Sequence, residues 1–489
     1  MSLNSDIQET PPDSFSYFTS EMFRPPINRA MRVLDRSFFK KTVPLSAATV
    51  LENKNISSIK NLLVKSNDVL TLPRILPIRK PQTIKSEADE GRKCLLLRED
   101  IKSDDASTWS HTIKELVDAK SVEVNPFDLH LDYDYWTYPE IISSILPEAD
   151  AGEAPVGFSQ VGHIAHLNLR DQFLPYRHLI AEILKDKNSN VRTVINKIDD
   201  VGATSEFRTF AFEVLAGEND TNVIAHEQDC EFSFDFAKVY WNSRLSTEHT
   251  RLVETFKEGE AVCDVMAGVG PFAMPAGKKR VFVWANDLNP HGYERMVHGI
   301  KKNKVHGFVK PFNMNGRDFV KYAAKELSEN EPATVTIKPK VSRNTQGRRT
   351  SASPGRSTPP PQVYTSPITF DHYVMNLPAS AITFLDCFIG VYAGKEQLFT
   401  PHTNRRLPLV HVYCFSTNSD DGEFEKKEIC ERISKQIGFT VTPEDCEGGS
   451  GNPEREMDIK NVRLVSPNKR MFCASFRLPP EVAFKPDQS

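Results

Sequence analysis

The rhythm of apolar and polar positions changes along the chain in three stages. Over 1–150, short apolar patches are interrupted by Pro25, Pro26, Pro44, Pro73, Pro77 and Pro81, and neither a strand nor a helix period is sustained for long. That texture predicts a small, irregular α+β domain. Over 151–239 the periods sharpen: 161–169 reads as a strand, 176–185 has helical spacing, and 191–198 and 210–215 alternate like strands. A second α+β domain is expected there. Over 240–482, strand-like runs at 261–266, 281–285, 308–313, 370–376 and 409–415 alternate with helical patterns at 271–279, 291–303, 319–327, 379–388 and 423–437. Such alternation is the mark of a doubly wound parallel α/β sheet. Two last runs, 461–465 and 472–478, flank Pro467-Asn468 and predict a terminal antiparallel hairpin.

One stretch breaks the third stage. Residues 338–367 are rich in Ser, Thr, Pro and Arg, with Arg343, Arg348, Arg349 and Arg356 ahead of Pro359-Pro360-Pro361 and almost no large apolar side chain. Such a segment buries too little surface to order itself, so a disordered insertion is expected between a helix and the fourth strand. A basic loop that touches RNA or accepts phosphate is the functional alternative.

Composition narrows the classes. The 489 residues leave room for two to four domains, and no apolar run approaches the ~20 residues a bilayer requires. A net charge of -4 means that any polyanion must be held by a local basic surface. The eight cysteines are scattered with no pair at two-residue spacing, which argues against structural zinc and for a reduced intracellular protein. The first residues lack a cationic segment followed by an apolar one, so no secretory signal is expected.

The sharpest local signal is Asp264-Val265-Met266-Ala267-Gly268-Val269-Gly270-Pro271-Phe272-Ala273, directly after a strand and opening a helix. Its glycines allow a tight turn and a close approach of backbone to ligand, and the helix start offers free N–H groups. Spacing alone also satisfies the dinucleotide fingerprint of an NAD enzyme. The next strand ends in Asn286-Asp287-Leu288-Asn289-Pro290, where a carboxylate can accept both hydroxyls of a ribose. Asn313, Asn315 and Gly316 follow the third strand, where an adenine edge belongs. After the fourth comes Asn376-Leu377-Pro378-Ala379-Ser380, whose amide oxygen, beside a backbone carbonyl kept exposed by proline, can orient a planar base. In the plain reading Asp287 and Asn289 only cap a helix, and Pro378 only turns one.

These four stretches, with Gly162–Arg170 and Phe207-Arg208-Thr209-Phe210 upstream and the closing hairpin, resemble the archaeal and eukaryotic tRNA methyltransferases that modify N1 of guanosine 37. The likeness spans about 157–479, and 1–150 shares it more loosely through Phe23-Arg24-Pro25-Pro26 and Leu34-Asp35-Arg36. The resemblance implies a Rossmann-like class I methyltransferase domain with a terminal hairpin over 240–482. It also implies an RNA-binding middle domain over 151–239 and an N-terminal domain over 1–150 that checks the body of tRNA. S-adenosylmethionine is the implied donor, and the implied product is the first step toward wyosine-type bases in tRNA-Phe. By the same likeness Glu248, in Tyr240–His249, is the general base and Arg208 its companion at the guanine. Tyr240, Asn376 and Pro378 hold the base, and His249 joins Asp264, Gly268, Gly270, Asp287, Leu288, Asn315, Gly316 and Asn376 at the donor. No metal is implied. A monomer in the cytoplasm is expected, with nucleus and mitochondrial matrix open as further destinations.

The chemistry asks for such groups independently. N1 of guanine carries a hydrogen, so methylation needs a proton acceptor, which a carboxylate supplies. A cation such as Arg208 can stabilise charge developing on O6. The target base must leave a stacked loop, and Tyr240, Trp241 and Phe207 are candidate stacking surfaces. Two rivals remain: an aminocarboxypropyl transferase using the same donor, and a noncatalytic tRNA-binding protein. The plain alternatives are an acidic residue in a helix first turn for Glu248 and a surface ion pair for Arg208.

Overall fold

A computed structural model of the chain describes residues 21–82, 91–155, 157–198, 207, 209, 211–338, 360–417, 419, 422–447 and 456–486. Packing divides the chain into two compact units: Met1–Phe158 with Leu167–Asn196 and Val214–Glu218, and Ser159–His166 with Lys197–Glu213 and Asn219–Ser489. The stretch expected as a middle domain, 151–239, is thus distributed over both.

In the first unit β1 (Lys41–Val50), α1 (Ile56–Lys65), β2 (Ile78–Arg79), β3 (Lys93–Leu96), α2 (His111–Asp118) and β4 (Val122–Leu131) come first, followed by α3 (Tyr138–Ile145) and α4 (Glu148–Ala151). The strands form one antiparallel sheet in the order β2-β3-β1-β4. Pro44 lies inside β1, where the sequence pattern reads as interrupted. It is tolerated because β3 pairs only with Ala47–Val50, so the missing N–H falls where β1 has a single neighbour. Ala48, Val50, Ile59, Leu63, Leu95 and Ile113 close the core between sheet and helices.

The expected strand at 161–169 is two strands, β5 (Ser159–Val161) and β6 (Ile164–Leu167), paired antiparallel. Gly162 makes the turn at φ +54, and a Cβ there would meet the Ile224 carbonyl oxygen at 3.0 Å. Then come α5 (Arg177–Lys187), β7 (Thr193–Lys197) and β8 (Phe212–Gly217). A hairpin that the sequence pattern did not predict follows, β9 (Asn222–Glu227) and β10 (Cys230–Asp235), joined by Gln228 and Asp229 at φ +46 and +59. That pair of left-handed residues is what a two-residue hairpin turn demands, although neither is the usual Asn or Gly.

The rest of the second unit runs α6 (Ser246–Thr255), β11 (Ala261–Asp264), α7 (Ala273–Lys278), β12 (Phe282–Asn286), α8 (Pro290–Lys302), β13 (Val309–Phe312) and α9 (Gly316–Glu329). It continues with β14 (Thr334–Ile337), β15 (Gln362–Thr365), β16 (His372–Met375), β17 (Leu409–Thr417), α10 (Gly422–Ile437), β18 (Met457–Ser466), β19 (Lys469–Arg477) and α11 (Pro480–Ala483). One sheet carries seven strands in the order β13-β12-β11-β16-β17-β19-β18. Its first five are parallel, and β19 and β18 close it antiparallel. The expected parallel core and terminal hairpin are therefore present. Buried Val265, Phe319, Phe370, Tyr373, Leu385 and Ile429 belong to the core that holds helices on this sheet.

Part of the expected disordered insertion is ordered: β15 pairs antiparallel with β14, and the Tyr364 hydroxyl accepts from Arg280 at 2.6 Å. These backbone groups find partners in each other, which composition alone does not reveal. Residues 339–359 lie outside the described residues.

Candidate active site

Chain order reverses between β11 and β16, and ligands of open parallel sheets bind outside the strand carboxyl ends at such a reversal. A cleft lies there, enclosing about 820 Å³ of space that includes its open mouth. Its walls come from four strand ends: Val265, Met266 and Gly268 after β11; Asn286, Asp287, Leu288 and Asn289 at β12; Asn315 and Gly316 after β13; and Asn376 and Leu377 after β16.

Each wall is fixed by its own backbone. Gly268 adopts φ +58, and a Cβ built on it meets no protein atom within 4 Å, so both conformation and open space face the cleft. Asp287 Oδ2 accepts from Gly268 N at 2.7 Å and Oδ1 from Asn289 N at 2.9 Å. Burial raises the Asp287 carboxyl above its ordinary range, against those two backbone donors. Each oxygen retains a lone pair for a ligand hydroxyl. Leu288 beside it is 43% exposed, a large apolar side chain left uncovered at the rim. Asn286 ties three strand ends together, donating to Val265 O and Met314 O and accepting from Met314 N at 2.8 Å. Asn289 caps α8 and Asn315 caps α9, each accepting an N–H two residues on. Those helix starts border the cleft through Gly292 and Gly316.

Asn376 supplies the fourth wall, and its Oδ1 is buried without a hydrogen-bond partner among the described residues. An amide oxygen left so has its acceptor capacity open to a ligand donor. The carbonyl that proline was expected to keep exposed is engaged: Leu377 O accepts from Ala381 N at 2.7 Å and Pro378 O from Phe415 N at 3.2 Å. The Leu377 carbonyl thus starts the helical segment Ala381–Phe388, while that of Pro378 ties the turn to β17.

Tyr240 also lines the cleft, with Phe207, Val239, Gly292 and Phe384. Asp264, Gly270, Glu248, His249 and Pro378 do not. Asp264 ends β11 fully buried, and neither carboxylate oxygen has a hydrogen-bond partner among the described residues. Burial first, then the charge of Asp287, push it well above the usual carboxylate range. His249 is buried behind the glycine turn, with Nδ1 2.8 Å from Glu227 Oε2 and its ring against Phe272 at 4.8 Å. Glu248, one residue earlier, meets Arg251 through two bonds of 2.7 and 2.6 Å and the Tyr413 hydroxyl at 2.7 Å. Arg208 and Phe210 lie outside the described residues.

Sequence reasoning passed over Phe384 and named Met266 only as part of the glycine motif. Phe384 sits in the apolar run 381–388, which reads as core, yet its ring carries the Arg317 guanidinium at 4.7 Å. Only the turn after β16 brings it to the cleft. Among the described residues, no helix is long and apolar enough to cross a membrane.

Residues 138–221 match the TYW2 N-terminal domain, and residues 223–330 match the TRM5/TYW2 methyltransferase domain. Among curated proteins, the tRNA (guanine(37)-N(1))-methyltransferase of Aspergillus fumigatus is 64% identical over 95% of this chain and 96% of its own. That of Schizosaccharomyces pombe is 42% identical over 93% of this chain and 95% of its own. Among solved structures, the complex of aTrm5 and tRNALeu superposes with a TM-score of 0.54 at 20% identity, covering 89% of this chain and 99% of that one. Trm5b from Pyrococcus abyssi gives 0.51 at 21%, with the same coverage.

Proposed function

We infer, for a chain that belongs to the tRNA (guanine(37)-N(1))-methyltransferase family, that its cleft joins S-adenosylmethionine to guanosine 37 of tRNA and moves one methyl group onto N1. The observation that carries the reading is the meeting of Gly268, Asp287, Asn315 and Asn376 in one cleft at the reversal of chain order.

The residues suit such a donor. Asp287 keeps a lone pair on each oxygen for ribose hydroxyls, Leu288 offers an apolar surface for a base, and Gly268 leaves the backbone open to close approach. Asn315 and Gly316, at the start of α9, border the same space. When bound, S-adenosylmethionine supplies a methyl group on a positively charged sulfur.

The chain's own groups then have three tasks. Asn376 Oδ1 accepts from the exocyclic amine of the guanine, the donor its buried oxygen lacks. Tyr240 gives the base a face to lie on. The family likeness assigns the N1 proton to Glu248, which does not itself line the cleft and so must be reached by the bound base, and Arg208 offsets the charge that grows on O6 as the proton leaves.

The test is a digest-and-mass-spectrometry assay of an unmodified transcript with guanosine 37 beside one with adenosine there, each incubated with the protein and S-adenosylmethionine. N1-methylguanosine from the first alone supports the reading. Donor binding without methyl transfer, or a nucleoside heavier by an aminocarboxypropyl group, overturns it.

A further inference from the structure

We propose that Arg251 and Tyr413 are positioning residues for methyl transfer, fixing the Glu248 carboxylate so that Oε2 is the atom that receives the proton. The proposal rests on the reading of Glu248 as proton acceptor.

The argument begins with lone pairs. Glu248 is 7% exposed in the first turn of α6. Its Oε1 accepts two hydrogen bonds, from Arg251 Nη2 at 2.6 Å and from the Tyr413 hydroxyl at 2.7 Å. Its Oε2 accepts one, from Arg251 Nε at 2.7 Å. A carboxylate oxygen has two acceptor positions, so among the described residues Oε1 is filled and Oε2 has one left. A proton arriving from a substrate therefore has a single place to go.

The two partners do different work. Arg251 lies three residues along the same helix, where side chains share a face, and its planar fork matches the carboxylate in two parallel bonds. That pair alone fits a structural role. Tyr413 does not follow from helix geometry: it comes from β17, 165 residues away, and is fully buried. A buried charge cluster is a poor way to stabilise a fold compared with apolar residues of the same volume, but a good way to fix a rotamer. Its placement also suits the task. β17 pairs with β16 as far as Met375 and Val412, so Tyr413, still inside β17, follows the last paired position just as Asn376 follows the end of β16 at the cleft. The Tyr413 ring packs on Phe272 of the glycine turn, with centroids 6.1 Å apart. One tyrosine thus touches both the carboxylate and the turn that borders the donor space.

Single-turnover methylation of the guanosine-37 transcript, at saturating protein and donor, tests this with Tyr413→Phe, Glu248→Gln, the double variant, and Arg251→Lys beside Arg251→Met. Tyr413→Phe keeps the ring and removes only the hydroxyl. It should slow transfer roughly tenfold, the scale of one hydrogen bond to a charged group, while donor affinity, the KM for tRNA and the unfolding midpoint stay near those of the parent. Combined with Glu248→Gln it should add nothing, because the atom it orients is already inert. Arg251→Lys, which retains the charge and one donor, should recover part of the rate lost in Arg251→Met. A parent-like rate for Tyr413→Phe, or losses that multiply in the double variant, overturns the positioning role while Glu248→Gln remains slow. A parent-like rate for Glu248→Gln overturns the reading of Glu248 itself.

Discussion

Asp287 and Gly268 meet where β11 and β12 end, the Asp287 Oδ2 accepting the Gly268 N–H at 2.7 Å. The acidic residue of one strand end therefore shapes the glycine turn of its neighbour as well as facing the cleft. Gly292 shows how closely this corner is packed, since a Cβ there would sit 3.2 Å from Asp287 Oδ1.

Asp287→Ala removes the anchor of the turn and the acceptor proposed for ribose together. Two hydrogen bonds to a charged group bring the expected loss of donor affinity to roughly 10²-fold or more. Calorimetric titration with S-adenosylmethionine measures it, and unchanged affinity would move the donor out of this cleft.

Asn376→Ala separates recognition from folding. The Oδ1 of Asn376 has no partner among the described residues, so truncating it should leave the unfolding midpoint unchanged or slightly higher. Methylation should fall roughly 10- to 100-fold, on the scale of a lost hydrogen bond to the bound base. A drop in the midpoint to match the drop in rate would make the residue structural.

Glu248→Gln keeps the shape and one acceptor of the side chain but cannot take a proton. Single-turnover transfer should fall by roughly 10²–10⁴, the usual contribution of a general base, with donor affinity close to that of the parent. Equal losses in rate and donor binding would place Glu248 among the groups that hold the site together.

Asp264 gives the unliganded protein a stability that depends on pH. Burial, then Asp287, raise its carboxyl well above the usual range in the folded chain, whereas in the unfolded chain it ionises near about 4. Below that value both states are protonated, and this group's contribution is fully present. As pH rises toward the folded value, the unfolded chain releases its proton first, and stability is lost. Asp264→Asn removes this dependence, so its unfolding midpoint should exceed the parent's at pH 7 and approach it at pH 4. Thermal unfolding across that range decides it, and parallel curves would mean that Asp264 is stably ionised in the fold.

The alternation of strand and helix after 240 was legible because each element there has to bury one face on the same sheet, and that requirement is written locally as period two or period 3.6. The motifs at Asp264–Ala273, Asp287–Asn289, Asn315 and Asn376 were legible for a related reason: a strand end, a tight turn and a helix cap each need particular residues within a few positions of one another. By itself, then, the sequence determined the sheet, its closing hairpin and which strand ends wall the cleft. It could not separate Gly162 as a turn from the strands on either side, or mark β9 and β10, because Gln228 and Asp229 reach a left-handed conformation that their side chains do not advertise. Only the tertiary structure decided that Phe384 belongs to the cleft and that the Leu377 and Pro378 carbonyls are engaged. It also decided that Glu248 is gripped by a tyrosine 165 residues away. Those facts depend on which strands become neighbours, a long-range outcome of packing that leaves no periodic trace in the chain.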